Sequence, residues 1–204
     1  MQLINDWYYF ENVLSHDTCD ILLNLSNDEW KSGIIDNNTE ITDTERIEGT
    51  TRNWKEKKDL RTSDVKWVSG DNLNIAIDIL VPYMVSANDR AGWKFNVNEM
   101  QNCQLTRYNE GAFYTWHRDG GSCHLFNSGN RVRKLSMTVC LNDEYEGGEL
   151  QFCSYGRTEH TVGIPPQGKG TIIVFPSFLD HQVAPVTKGI RYSCVVWFTG
   201  PPFI

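Results

Sequence analysis

From about residue 93 onward the chain becomes a succession of short apolar runs broken by turn residues. The runs Cys103–Tyr108, Ala112–Arg118, Lys134–Leu141, Leu150–Cys153, Thr171–Phe175 and Arg191–Phe198 have the length and the β-branched and aromatic content of strands. Between them lie Asn109-Glu110-Gly111, Gly120-Gly121, Glu146-Gly147-Gly148 and Pro165-Pro166, residues that turn a chain rather than extend it. Regularly spaced short strands with such turns leave few architectures open beyond a sandwich or a barrel. The expected class is α+β, mainly β: a double-stranded β-helix, or jelly roll, with supporting N-terminal helices.

The first hundred residues read differently. Trp7–Phe10 is a short aromatic strand, and Ser15-His16-Asp17 supplies capping residues for an amphipathic helix over Thr18–Leu25. A second helix is expected over 71–90, where Ile75/Ile79 and Ala76/Leu80 repeat at i,i+4 and Asp71-Asn72 can cap it. Between them, 31–63 is polar and charged. It reads either as a solvated loop or hairpin or as a mobile flap over a site. The 204 residues suffice for one domain with its own core, so a single domain over 1–204 is expected, with helical support over 1–100 and the jelly-roll core over 101–204.

Net charge and cysteine usage narrow the function class. A formal charge of −7 argues against a generally nucleic-acid-binding or anionic-membrane-binding surface. The N-terminal stretch has no basic n-region or apolar h-region, and no apolar run approaches the ~20 residues that span a bilayer. A cytoplasmic protein without membrane or nucleic-acid partners is expected. Cys19, Cys103, Cys123, Cys140, Cys153 and Cys194 contain no C-x-x-C pair, and Cys140 and Cys194 sit in apolar runs, where they read as buried thiols.

The chemistry concentrates in His117-Arg118-Asp119. His117 and Asp119 are at i and i+2, so on a strand their side chains share a face, and they lie where a strand opens into Gly120-Gly121. His181 follows a later strand and a turn. Two histidines and a carboxylate are the ligand set of non-haem Fe(II) oxygenases, which leaves metal positions open for co-substrate and O₂. On the last strand Arg191 and Ser193 share a face. If that face looks into the barrel, guanidinium and hydroxyl form a clamp for a carboxylate; if it looks outward, Arg191 is a solvated strand end.

At this point a family resemblance becomes specific. Gln104-Leu105-Thr106-Arg107-Tyr108, Tyr114-Thr115-Trp116-His117-Arg118-Asp119, Glu146-Gly147-Gly148-Glu149-Leu150 and Phe175-Pro176-Ser177 leading to His181 resemble the prolyl 4-hydroxylase branch of Fe(II)/2-oxoglutarate dioxygenases. The stretch His181–Arg191 is similar to the bacterial PKHD-type hydroxylases of that branch. The resemblance covers roughly 100–200; upstream only Arg61-Thr62-Ser63 matches. It implies that His117, Asp119 and His181 bind Fe(II). It also implies that Arg191, helped by Tyr108 and Ser193, holds the distal carboxylate of 2-oxoglutarate. Tyr114 and Arg133 fall where the family contacts a substrate peptide, and Trp197 is either pocket wall or core aromatic.

The implied reaction is hydroxylation of peptidyl proline, with 2-oxoglutarate and O₂ consumed, succinate and CO₂ formed, and L-ascorbate as reductant. An intact Asp119 argues for hydroxylation over halogenation. Arg191 stands where many prolyl 4-hydroxylases carry Lys, and Thr199 where many carry a substrate-holding His. Those departures leave open a different substrate, such as a lysyl side chain, a free amino acid or a small metabolite. A third reading is a non-catalytic metal-binding jelly-roll module.

Overall fold

Ser15 starts the first helix as its spacing suggests: the hydroxyl accepts from the Thr18 amide and caps helix α1 (His16–Leu23), which buries Cys19 and Leu22. The computed structural model describes residues 5–33, 60–120, 131–155 and 160–203. Before α1 lies strand β1 (Tyr8–Phe10), and after it β2 (Lys31–Ser32) and β3 (Asp64–Val68) precede helix α2 (Asp71–Arg90). Next come β4 (Glu99–Met100), β5 (Cys103–Tyr108), β6 (Tyr114–His117), β7 (Val132–Cys140), β8 (Tyr145–Gly147) and β9 (Leu150–Tyr155). The chain ends through β10 (His160–Gly163), β11 (Ile172–Pro176), β12 (His181–Val183), β13 (Val186–Gly189) and β14 (Arg191–Gly200). Most of 31–63, the expected loop or flap, lies outside the described residues, as does Cys123.

Helix α2 differs in detail from the periodic reading. Its buried stripe is Ala76, Leu80, Met84 and Ala87, whereas Ile75 is 44% exposed. Gly70, at φ 61°, is its N-cap, so Asp71 and Asn72 lie inside the helix; the Asn72 amide instead donates to the Leu25 carbonyl and ties the two helices together. No helix among the described residues is long and apolar enough to cross a membrane.

The strands form a jelly roll of antiparallel pairs. The larger sheet runs β1-β11-β7-β14-β5-β3-β2, with β4 also on β14; the smaller runs β10-β9-β12-β6, and β13 pairs with β8. Strands from both sides of residue 100 therefore share one sheet. Alternation along β14 sorts its side chains between two cores. Cys194, Val196 and Phe198 join Leu105, Leu135, Met137, Val139 and Val174 against the helices. The opposite face looks toward the smaller sheet, where Tyr108, Cys140, Ile173 and Phe175 meet Leu150, Phe152 and Val183. Full burial of each large apolar side chain stabilises the fold by roughly 1.5–3 kcal/mol, so the two sheets are held face to face mainly by this second core. Cys140 and Cys194 are buried thiols, as expected from their runs.

Candidate active site

The paired strands β6 and β12 bring the distant residues together. His117 ends β6 and lies directly opposite His181, which opens β12. Asp119 sits two residues past His117, where the chain turns inward: the Gly120 amide donates to the Ser177 carbonyl at 2.8 Å. The turn is tight, since a Cβ at Gly120 would meet the Ser177 Cβ at 3.1 Å and the Arg133 carbonyl at 3.2 Å. One ligand atom from each of His117, Asp119 and His181 lies within 4.8 Å of the others.

Each imidazole is oriented by the backbone. His117 Nδ1 lies 2.7 Å from the Thr115 carbonyl and His181 Nδ1 lies 2.9 Å from the Leu179 carbonyl. A carbonyl only accepts, so Nδ1 carries a proton in both rings and Nε2 is the nitrogen left to face a ligand. Those Nε2 atoms face the carboxylate, His117 at 3.8 Å from Asp119 Oδ1 and His181 at 3.6 Å from Oδ2. Burial first, and then the neighbouring His181, lower the His117 pKa to about 3 against the pull of Asp119. His117 is therefore neutral, and its approach to Asp119 is not an ion pair. Burial works against the Asp119 charge, but the two imidazoles, a hydrogen bond from Ser136 and the Arg133 charge hold its pKa below the ordinary carboxylate value. Two imidazole Nε2 atoms and one carboxylate converge on one point, which is a cation-binding donor set with room for further ligands.

The other end of the inter-sheet space holds Arg191. It is 1% exposed, lies opposite Tyr108 on β5, and faces inward with Ser193. Its Nη1 donates to Ser193 Oγ at 3.3 Å, its guanidinium stands 5.4 Å from the Tyr108 ring centre, and it bonds the Tyr145 hydroxyl. Burial opposes its charge, yet Tyr145, Cys140 and Tyr108 keep its pKa above the ordinary value. Nε and Nη2 are buried without an acceptor among the described residues. A buried guanidinium with orphaned donors is strongly unfavourable unless an anion arrives to accept from them. Phe175 and Phe152, whose rings pack 4.7 Å and 6.1 Å from His181, belong to the same core as Tyr108 and Cys140, so the two polar ends border one core between the sheets.

This arrangement matches a known family over the stretch that carries it: residues 103–199 fit the profile of the 2OG-Fe(II) oxygenase superfamily. These residues form a 2OG-Fe(II) oxygenase domain. A PKHD-type hydroxylase of Stenotrophomonas maltophilia is 41% identical over 97 residues, covering 46% of this chain and 41% of that protein. One from Cupriavidus metallidurans is 39% identical over the same length, covering 46% and 40%. The chain thus spans about two-fifths of the length of these curated relatives. The fold is shared with a Pseudomonas putida prolyl-4-hydroxylase, at a TM-score of 0.62 and 19% identity, covering 95% of this chain and 91% of that one. It is shared also with a Trichoplax adhaerens prolyl hydroxylase in complex with a hypoxia inducible factor peptide fragment, at 0.65 and 18%, covering 95% and 83%.

Around the His117, Asp119 and His181 cluster stand the residues expected at a substrate. Tyr114 lies flat on His117, with centroids 3.5 Å apart and planes 15° apart, and burial raises its pKa to about 12. Arg133 donates to Gln101 at 2.8 Å and to the Asp119 carbonyl at 3.3 Å, and its guanidinium covers the Trp197 ring at 4.0 Å. Trp197 is 7% exposed, and its indole N–H has no acceptor. Thr199 is buried and accepts from Arg131.

Four contributors escaped the sequence reading. Tyr145, which bonds Arg191, immediately precedes the Glu146-Gly147-Gly148 turn and could have been found from that adjacency. Ser136 reaches Asp119 from β7. Arg61, in the Arg61-Thr62-Ser63 motif that had drawn no role, places its guanidinium 4.8 Å from the Tyr114 ring centre, and Thr62 exchanges backbone and side-chain bonds with Phe113. Trp67 on β3, 41% exposed, packs 6.1 Å from Trp197 and carries no periodic signal of its own.

Proposed function

We propose that this domain is an Fe(II)- and 2-oxoglutarate-dependent hydroxylase acting on a peptide substrate, most specifically on peptidyl proline. The observation that carries the reading is the pair of polar groups that border one core, a neutral His, a second His and a carboxylate on one side and a buried, acceptor-poor Arg191 on the other. His117 Nε2, His181 Nε2 and the Asp119 carboxylate would hold the iron. Arg191, with Ser193, Tyr108 and Tyr145, would receive the distal carboxylate of 2-oxoglutarate, and the orphaned Nε and Nη2 supply the charge-assisted bonds that anion needs. When bound, iron and 2-oxoglutarate activate O₂: the co-substrate is oxidised to succinate and CO₂, and one oxygen atom enters a substrate C–H bond.

The protein's own residues orient and shield. Phe152 and Phe175 exclude water beside His181. Tyr114, stacked on His117 with Arg61 over its ring, is an aromatic side chain held rigidly beside the reacting end, where a substrate ring would approach its edge. The unpartnered indole N–H of Trp197 suits a substrate backbone carbonyl. Peptide-complex and prolyl hydroxylase neighbours support the peptide reading through shared fold. L-ascorbate would keep the metal reduced between turnovers.

The test is succinate release with Fe(II), 2-oxoglutarate, ascorbate and proline-rich peptides, read beside product mass. The expected result is a peptide that gains one oxygen atom on proline, with all turnover lost in His117→Ala and Asp119→Ala. Fe(II)-loaded protein that consumes no 2-oxoglutarate with any peptide, amino acid or metabolite mixture overturns the reading; oxygen gained on lysine or on a free amino acid overturns its proline part alone.

A further inference from the structure

The metal cluster is assembled from two segments, His117–Asp119 and the stretch that ends in His181. Strand β6 pairs with β12 on one side and meets Arg61 by an isolated bridge at Tyr114 on the other, so its second side carries little regular pairing near His117. The pairing is His181 with His117 and Val183 with Tyr114, with an irregularity between them. Asp119 lies beyond the last paired residue of β6. There the Gly120 amide donates to the Ser177 carbonyl, and two side chains add a link nearer the ligands. Arg118, between His117 and Asp119, donates from Nε to Asp180 Oδ1 at 2.8 Å and from Nη2 to Asp180 Oδ2 at 2.7 Å. Asp180 directly precedes His181, and its carbonyl accepts from the Cys153 amide, which ties it to β9 as well.

From this geometry we infer that the Arg118–Asp180 fork is a positioning latch that sets the spacing of His117 and Asp119 against His181. The inference rests on the metal-site reading above and deepens it. Fork-to-fork geometry fixes both the distance and the plane of the two partners, which a point-charge pair would not. The latch does not touch the metal: Arg118 is 56% exposed on its side chain and Asp180 16%. An ion pair this exposed adds little to global stability, because solvent screens it. Its consequence is local. Fixing the residues adjacent to all three ligands removes motions that would pull the donor atoms apart, and mutating outer partners of metal ligands commonly weakens metal binding by about 10- to 100-fold.

The experiment is a Co(II) titration, followed by the visible absorption of the bound ion, on wild type, Arg118→Ala, Arg118→Lys, Asp180→Ala and the charge-reversed double variant R118D/D180R, with melting temperature measured on each. The expected result is a loss of about tenfold in Co(II) affinity for either Ala variant, with melting temperature nearly unchanged. Arg118→Lys should fall in between, since it keeps the charge but not the fork, and the reversed pair should recover most of the affinity. Ala variants that bind Co(II) as tightly as wild type overturn the latch and leave the metal site standing. Ala variants whose affinity falls only in step with melting temperature, without recovery in the reversed pair, show a merely structural contact and also overturn it. Wild type that takes up no Co(II) overturns the metal site itself and the latch with it.

Discussion

His117 and His181 each commit one ring nitrogen to a backbone carbonyl, which leaves the second pointing at Asp119. The pairing of His117 with Asp119 was legible from their i,i+2 spacing, and the shared face of Arg191 and Ser193 from strand alternation, because both depend only on the period of an extended chain; that this face looks inward was not. The hydroxyl of Ser136 on Asp119 and the phenol of Tyr145 near Arg191 were not, because each partner arrives from another strand. Arg191 offers the sharpest test at this level. Replacing a buried charge whose donors are partly orphaned with a hydrophobic side chain of similar length is often neutral or stabilising. Arg191→Met should therefore keep or raise the melting temperature, leave Co(II) binding intact, and weaken 2-oxoglutarate binding by roughly 10- to 100-fold, the loss of charge-assisted bonds of about 1.5–3 kcal/mol. Calorimetric titration with 2-oxoglutarate measures it; unchanged affinity would remove Arg191 from the co-substrate site.

Gly148 shows how one turn supports a distant side chain. It adopts φ +68°, and a Cβ there would meet Val186 Cγ2 at 2.8 Å and Arg191 Cδ at 3.1 Å. Gly148→Ala is expected to destabilise by about 1–3 kcal/mol through backbone strain and overpacking, and to raise the KM for 2-oxoglutarate by displacing Arg191. A thermal melt and a KM determination check the two effects separately. The longer strands β5, β7, β11 and β14 were readable, give or take a residue or two at their ends, because their alternation runs for several residues. β8, β12 and β13 span only three or four residues and fall below any period, although β12 delivers His181. Helix α2 was legible as an element, yet its buried face centres on Ala76, Leu80, Met84 and Ala87 and leaves Ile75 outside. Small residues let the helix approach the sheet closely, a packing preference that hydrophobicity alone ranks the other way.

For the molecule as a whole, the cluster joins β6 and β12 of one sheet to Ser136 of the other through Asp119. A cation there binds the folded state alone, so its removal lowers stability by mass action: at about a hundredfold excess over Kd the difference is about 2.7 kcal/mol. Melts with Co(II) and with chelator should differ accordingly in wild type and coincide in His181→Ala. Equal shifts in both proteins would place metal binding elsewhere. The mainly β class and the existence of a His-x-Asp pair at a strand end followed from local pattern, since turn chemistry and strand period are properties of neighbouring residues. The resemblance then supplied His181 and Arg191 as partners. What local pattern could not contain was the assembly of the site: which faces of β5, β7 and β14 turn toward the smaller sheet, how Arg118 meets Asp180 across 62 residues, and where Tyr145 and Arg61 arrive. Those contacts are made between segments far apart in the chain, and burial of apolar area between two sheets selects them, not any preference of the residues taken in order.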